Sequence, residues 1–257
     1  MARTQQLPRA ARQALLTVTE PLEWETMPTR QPAPPATTYA RAEFGAIESD
    51  FRLCGMDEVG RGALAGPLVA AAVILPLEFS HELVADSKSL SPRQRAMAAT
   101  VIRAHASAVA ISTIEVELIN EHGIGWANQE IFAALAEAID ADGYACDGNL
   151  HVPSRRVIHN LVGGDRIVPA IAAASIVAKV YRDSLMTRYH HETPTYSWSS
   201  NMGYGSPAHL AALRKHGAHP LHRTLFIRNH VKEASGIASC EAGGDAKNEK
   251  HGPDEST

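Results

Sequence analysis

Leu53-Cys54-Gly55-Met56-Asp57-Glu58-Val59-Gly60-Arg61-Gly62-Ala63-Leu64-Ala65-Gly66-Pro67-Leu68-Val69-Ala70-Ala71-Ala72-Val73-Ile74-Leu75 is the stretch around which this chain is organised. Two apolar runs flank a turn built from Gly60, Arg61 and Gly62, and Gly66-Pro67 breaks the middle. The β-branched Val59, Val69, Val73 and Ile74 favour extended backbone, so the pattern predicts two strands joined as a hairpin. Asp57 and Glu58 interrupt the first apolar run. A bare carboxylate in apolar surroundings is costly unless it is paired or binds a cation. Two adjacent carboxylates oppose each other's ionisation. Neighbouring side chains on a strand point to opposite faces, so both can serve one site only where the strand ends or twists, and the glycines allow that. One reading is a salt bridge to Arg61. The other is a hard-cation site lined by oxygen ligands.

The 257 residues suffice for one large domain or two small ones, and 45% hydrophobic content suits a sizeable core. With 24 Lys and Arg against 28 Asp and Glu, the net charge is −4. That excludes a strongly basic nucleic-acid coat and leaves only a local basic patch for such a contact. Cys54, Cys146 and Cys240 have no metal-ligand spacing. Cys54 and Cys146 read as small core residues, and nothing implies disulfides, so a reducing, cytoplasmic compartment is expected. Residues 1–48 are rich in Pro, Thr, Arg and Gln and read as disordered or loosely docked, with a transit peptide as an alternative for the Arg-bearing start. Residues 235–257 read as a flexible tail. No membrane-length apolar run is present.

Beyond the hairpin, Ser91 is placed to cap a helix with Pro92 at its first position, running to about His105. Ala108 to Ile114 reads as a strand, Val116 onward as helical, and Trp126 to Ile139 as an amphipathic helix with Ile131, Leu135 and Ile139 on one face. Tyr144 to Asp147 reads as a short strand ending in a carboxylate and the turn Gly148-Asn149, by itself a plain turn signal. Val157 to Val162 is another strand, followed by Gly163-Gly164-Asp165, where Asp165 alone reads as a turn or cap residue. Pro169 to about Tyr189 is a helix whose Ala-rich first half permits close approach to a sheet. Its Ser175, Lys179 and Asp183 form one polar stripe, and Lys179 and Asp183 can pair along it. Tyr204 stands between Gly203 and Gly205 on a loop, a poor place for core filler and a good one for an aromatic face that meets nucleic acid.

Taken together these motifs resemble bacterial ribonuclease HII. Asp57-Glu58-Val59-Gly60-Arg61-Gly62 with Leu64-Ala65-Gly66-Pro67 is similar to that family's opening motif. Asp86-Ser87-Lys88, Asp147-Gly148-Asn149, the Asp165 that follows a Gly pair, Ala172-Ala173-Ala174-Ser175-Ile176-Val177-Ala178-Lys179-Val180 and the Gly203-Tyr204-Gly205 loop are similar to its later segments, in order, from about residue 50 to 230. Ser89 stands where the family often has a second Lys, Met202 where it often has Lys, and Leu225 where His222-Arg223-Thr224-Leu225-Phe226 departs from a His-Arg-x-Ser-Phe pattern. The Gly60-Arg61-Gly62 turn favours type HII over the related type HIII.

The resemblance implies an α/β fold of the ribonuclease H-like kind, a mixed sheet flanked by helices. The catalytic core would span residues 49–190, and a C-terminal helical extension over 191–234 would carry the Tyr204 loop. It implies that Asp57, Glu58, Asp147 and Asp165 are the catalytic, metal-binding carboxylates. It further implies that Gly60, Arg61, Gly62, Lys88, Ser175, Lys179 and Tyr204 meet the substrate. An oxygen-only ligand set suits Mg²⁺ or Mn²⁺ rather than zinc. Two such ions could activate water and stabilise the leaving oxygen. The expected substrates are RNA/DNA hybrids and duplex DNA with embedded ribonucleotides, cut 5′ to the ribonucleotide to leave a 5′-phosphate and a 3′-hydroxyl, by a monomer. Two rival classes are weighed against this. A small-molecule phosphotransferase lacks a glycine-rich phosphate loop here, and a non-catalytic hybrid binder would be expected to have lost a carboxylate.

Overall fold

The computed structural model describes residues 44, 50–85 and 89–231. Apart from Phe44, the segment expected to be loosely docked (residues 1–48) lies outside the described residues, as do the tail expected over 235–257, and Lys88. Within the described residues the order is β1 (Leu53–Val59), β2 (Leu68–Ile74), α1 (Glu82–Ala85), α2 (Pro92–His105), β3 (Ala108–Ile114), α3 (Val116–His122), α4 (Ile124–Ala138), β4 (Gly143–Asp147), β5 (Ile158–Leu161), α5 (Pro169–Glu192), α6 (Trp198–Asn201), α7 (Pro207–His216) and α8 (Thr224–Ile227). The strands form one five-stranded sheet in the order β3-β2-β1-β4-β5. The β1–β2 and β2–β3 pairs are antiparallel, and β1–β4 and β4–β5 are parallel. This is the mixed sheet expected, and β1 and β2 are the predicted hairpin.

Both faces of β2 are buried, which explains a run without polar residues. On one face Leu68, Ala70, Ala72 and Ile74 join Cys54 and Met56 of β1 and pack against Ile131, Phe132 and Leu135 of α4. On the other, Val69, Ala71 and Val73 meet Ala98, Ala99 and Ile102 of α2 and the Ala-rich half of α5. There α5 lies almost on the backbone of β1: a Cβ at Gly55 would sit 2.2 Å from the carbonyl carbon of Ala170. The thin helix face read from the sequence therefore has its partner in a strand glycine. Helix α2 begins with a capping box, in which the Ser91 hydroxyl accepts from the Gln94 amide and the Gln94 side chain accepts from the Ser91 amide. The C-terminal elements make a separate apolar cluster in which Tyr196, Trp198, Leu213 and Ile227 close over Leu64, Ala65 and Met186. The extension is thus seated on the β1–β2 connection and on α5.

Candidate active site

Asp57 and Glu58 are adjacent on β1 and, as strand geometry requires, are held from opposite faces of the sheet. Asp57 shares its face with Gly55 and faces Ser175 of α5, which favours its charge. Glu58 faces the buried Asn128 of α4, which favours its charge. The parallel register runs from Leu53 beside Gly143 to Met56 beside Cys146. One further step brings Asp57 beside Asp147 at the ends of the two strands. Carboxyl ends of parallel strands are where open α/β sheets bind ligands, because the helices on both faces leave a crevice there. Asp147 Oδ1 accepts from the Gly164 amide at 2.8 Å. Gly164 opens the short 3₁₀ turn Gly164–Arg166, which places the buried Asp165 one residue further on. Asp165 also lines a cleft with Phe79, Ser80, His81 and Val84 of the β2–α1 region.

Burial pushes the Asp57 carboxyl up to about 7; Ser175 opposes this, while Glu58 and Asp147 add repulsion. Burial also raises Glu58, opposed chiefly by the charge of Arg61, with Asp147 again repelling. Arg61 lies close enough to favour the Glu58 charge, yet among the described residues it makes no ion pair with it. The salt-bridge reading of the two acids therefore fails, and the crowded carboxylates keep their mutual repulsion. Cys146 feels the same field: burial first, then Glu58, Asp147 and Asp57, push its thiol up to about 12, so it is an inert core thiol.

These residues fit a hard divalent cation. The donors are all oxygen, the three strand-end carboxyls repel one another, and the buried Asn128 Oδ1 accepts no hydrogen bond. As the side chains stand, no three of His, Cys, Asp or Glu among the described residues converge tightly enough to enclose an ion. Each strand-end carboxyl is turned to a protein donor instead: Asp57 to its neighbour's amide and Ser175, Glu58 to Asn128, Asp147 to Gly164.

The remaining expected contacts divide. Gly60 has φ +92°, and a Cβ on it would lie 2.2 Å from Arg182 Nε. Arg61 and Gly62 are exposed at the tip of the turn. Tyr204 is 37% exposed with the guanidinium of Arg182 over its ring at 5.4 Å. Ser175 is occupied with Asp57. Lys179 Nζ bonds Asp183 Oδ1 at 2.8 Å, so the pairing read along the helix is present.

Two further residues were not read as part of the site. Arg182 and Arg223 are both fully buried. Arg223 donates to the carbonyls of Gly60, Arg61 and Gly66, and Arg182 to those of Ala65, Pro67 and Met202. Behind them His209 and His222 are buried and bonded Nε2 to Nε2 at 3.0 Å. His209 Nδ1 faces the Tyr204 carbonyl at 2.8 Å and must donate. Its Nε2 is then the acceptor for Trp198 and His222, and His222 Nδ1 accepts from the His219 amide. Both rings are neutral in this chain of bonds. Burial lowers His209, and burial followed by the charge of His209 lowers His222 to about 4.

A sequence model of ribonuclease HII matches residues 54–230. The chain belongs to the ribonuclease HII family. It is 44% identical over 186 residues to ribonuclease HII of Porphyromonas gingivalis, covering 70% of this chain and 91% of that one. It is 40% identical over 201 residues to ribonuclease HII of Clostridium acetobutylicum, covering 74% and 77%. Among solved structures, a chain of the PCNA:RNase HII complex from Archaeoglobus fulgidus matches with TM-score 0.59 at 24% identity, over 67% of this chain and 94% of that one. Bst-RNase HIII in complex with Mn²⁺ matches with TM-score 0.56 at 17% identity, over 71% and 70%. These two likenesses establish the ribonuclease H-like fold. As a ribonuclease HII the chain is a metal-dependent endonuclease, a phosphodiester hydrolase. No helix among the described residues is long and apolar enough to cross a membrane.

Proposed function

We propose that this enzyme hydrolyses the RNA strand of RNA/DNA hybrids and incises duplex DNA 5′ to embedded ribonucleotides, leaving a 5′-phosphate and a 3′-hydroxyl. The observation that carries this reading is the placement of Asp57, Glu58 and Asp147 at neighbouring strand ends, directly before the Gly60-Arg61-Gly62 turn, whose continuation at Ala65 and Pro67 is tied through Arg182 to the Tyr204 loop. Acid chemistry and sugar recognition thereby share one edge of the sheet.

Asp57, Glu58, Asp147 and Asp165 would hold Mg²⁺ or Mn²⁺. When bound, two such ions supply a nucleophilic water and charge stabilisation at the leaving oxygen. The protein's own part is positional. Ser175 and Asn128 aim the Asp57 and Glu58 carboxyls, and the Gly164 amide aims Asp147. Backbone groups of the turn read the 2′-hydroxyl, the atom that separates RNA from DNA. The partly exposed ring of Tyr204 stacks on the following sugar, which is free to be deoxyribose. Arg61, at the exposed tip, meets a phosphate, and Lys179, Ser175 and Lys88 complete the proposed set of substrate contacts. The enzyme works as a cytoplasmic monomer, with residues 49–190 as catalytic core and 191–234 as recognition extension.

Cleavage mapping on a duplex with one ribonucleotide tests the reading. A single cut on the 5′ side of that nucleotide, abolished by a chelator and absent from all-DNA duplex, is expected. A wild-type enzyme that cuts a continuous hybrid but leaves the single-ribonucleotide duplex intact would reduce the function to general hybrid cleavage. Tyr204→Ala should lose more activity on the single-ribonucleotide duplex than on the hybrid.

A further inference from the structure

We infer that Arg182 and Arg223 are positioning residues that lock the Gly60–Pro67 turn and the Met202–Gly205 loop into one rigid ribonucleotide-reading unit, with Arg182 acting through Tyr204. The inference rests on the sugar-reading role proposed above for the turn and for Tyr204. Both guanidiniums are fully buried, and among the described residues neither makes an ion pair with a carboxylate. Two buried like charges are costly, and well-packed apolar residues of similar volume would often serve stability as well or better. What an apolar side chain lacks is a fork of donors in fixed geometry.

Here the two forks make seven hydrogen bonds to six carbonyl oxygens, five on the turn and one, Met202, on the Tyr204 loop. Arg182 alone spans both: its Nη1 reaches Met202 at 2.8 Å, its Nη2 Ala65 at 3.1 Å, its Nε Pro67 at 3.0 Å, and its plane lies over the Tyr204 ring. The backbone completes the seam. The amides of Leu64 and Ala65 donate to the Gly203 carbonyl, and those of Gly66 and Arg223 donate to Leu221 and Leu64. Glycine is required on both sides of it. A Cβ would lie 2.2 Å from Arg182 Nε at Gly60 and 2.3 Å from the Ala65 oxygen at Gly203, each at positive φ. Neither arginine is exposed to meet substrate, so their effect on the reaction passes through the groups they hold.

A double-mutant cycle with Arg182→Lys and Tyr204→Ala tests this, reading kcat/KM on a single-ribonucleotide duplex and on a continuous hybrid. Lysine keeps the charge and loses the fork. Arg182→Lys is expected to lower the preference for the single-ribonucleotide duplex by about tenfold, a coupling of ordinary size for residues in contact. In the Tyr204→Ala background it should lower that preference no further. Additive losses would overturn the inference and leave Arg182 a purely structural residue.

Hydrogen exchange supplies an arm that needs no single-ribonucleotide cleavage. In the wild type the amides of Leu64, Ala65 and Gly66 on the turn and of Gly203 and Tyr204 on the loop should open with one common free energy, as a cooperative unit does. Separate opening energies on the two sides of the seam would overturn the inference. This arm also decides the matter if Arg182→Lys does not fold, or if the wild type proves inactive on the single-ribonucleotide duplex. That last result would defeat the substrate reading without touching the coupling of the two loops.

Discussion

Two groups of buried charge lie on either side of the β1–β2 connection, and the fold treats them in opposite ways. The carboxylates at the ends of β1 and β4 are crowded together: Asp57 stands at about 7 because burial and its neighbours oppose its ionisation. The arginines beneath the turn are just as buried, yet every bond they make ends on a backbone carbonyl. Burial lowers both guanidiniums, Arg223 to about 9, with Arg182 adding repulsion. The acids keep a repulsion that a cation from outside, or a proton, removes. The arginines are satisfied within the chain. On the function proposed above, one region is poised for a divalent ion at the expense of stability, and the other fixes the backbone of the turn beside it.

The sharpest way to break this contrast is Asp147→Asn or Asp57→Asn. Hydrolysis should drop by orders of magnitude, while the thermal midpoint measured in chelator should be no lower than wild type, because a repulsive charge has gone. A mutant that unfolds early while cleaving at full rate would place these acids in the fold rather than in the chemistry. Arg223→Met should behave oppositely. It removes the donors to the carbonyls of Gly60, Arg61 and Gly66, of which Gly60 keeps the Ala63 amide, at about 1–3 kcal/mol for each one left buried and unpartnered. Urea denaturation should reveal this loss with or without a divalent ion.

The sequence made much of the fold legible and rather less of the second region. The five strands and the helices up to Glu192, apart from the short Glu82–Ala85, were legible from pattern and composition, the cap from Ser91 and Pro92, and the mixed sheet from the family resemblance. Gly55 and the Ala-rich helix face announced a close contact once they were seen together. Arg182 and Arg223 were hidden because arginine normally belongs to the surface, and nothing local to either residue says that its fork will find carbonyls over a hundred residues away. Arg223 sat in a segment whose role was in doubt because of Leu225, which proves to be an exposed side chain. Asn128 carries no local signal within its amphipathic helix, although it lies 2% exposed beside Glu58. Nothing local to His209 and His222 shows that they bond each other, with Trp198, Tyr204 and His219 completing the chain.

Two smaller effects sharpen the contrast. Mn²⁺ or Mg²⁺ at a hundred times its dissociation constant should stabilise the folded enzyme by about 2.7 kcal/mol. The same ion should do far less for Asp57→Asn, and a calorimeter reads the difference. The histidine pair provides the smallest. The folded His222 is depressed to about 4 against 6.5 unfolded, so above pH 6.5 it leaves stability unchanged. As pH falls from 6.5 towards 4 the unfolded chain takes up a proton that the folded one refuses, and stability declines across that window. His222→Gln should flatten the upper part of the decline, between pH 6.5 and 5, in a thermal-melt series. An unchanged slope would mean that the pair is not held neutral.

The bond from Arg223 to the Gly60 carbonyl joins residues 163 positions apart. On a ribosome, where domains take shape from the N-terminus as synthesis proceeds, every carboxylate emerges long before the clasp that sets the turn beside them. A nascent chain that ends between Asp165 and Arg223 carries all four acids while the carbonyls of Gly60, Arg61 and Gly66 still wait for their arginine. The clasp on the turn is thus completed only near the end of the described chain.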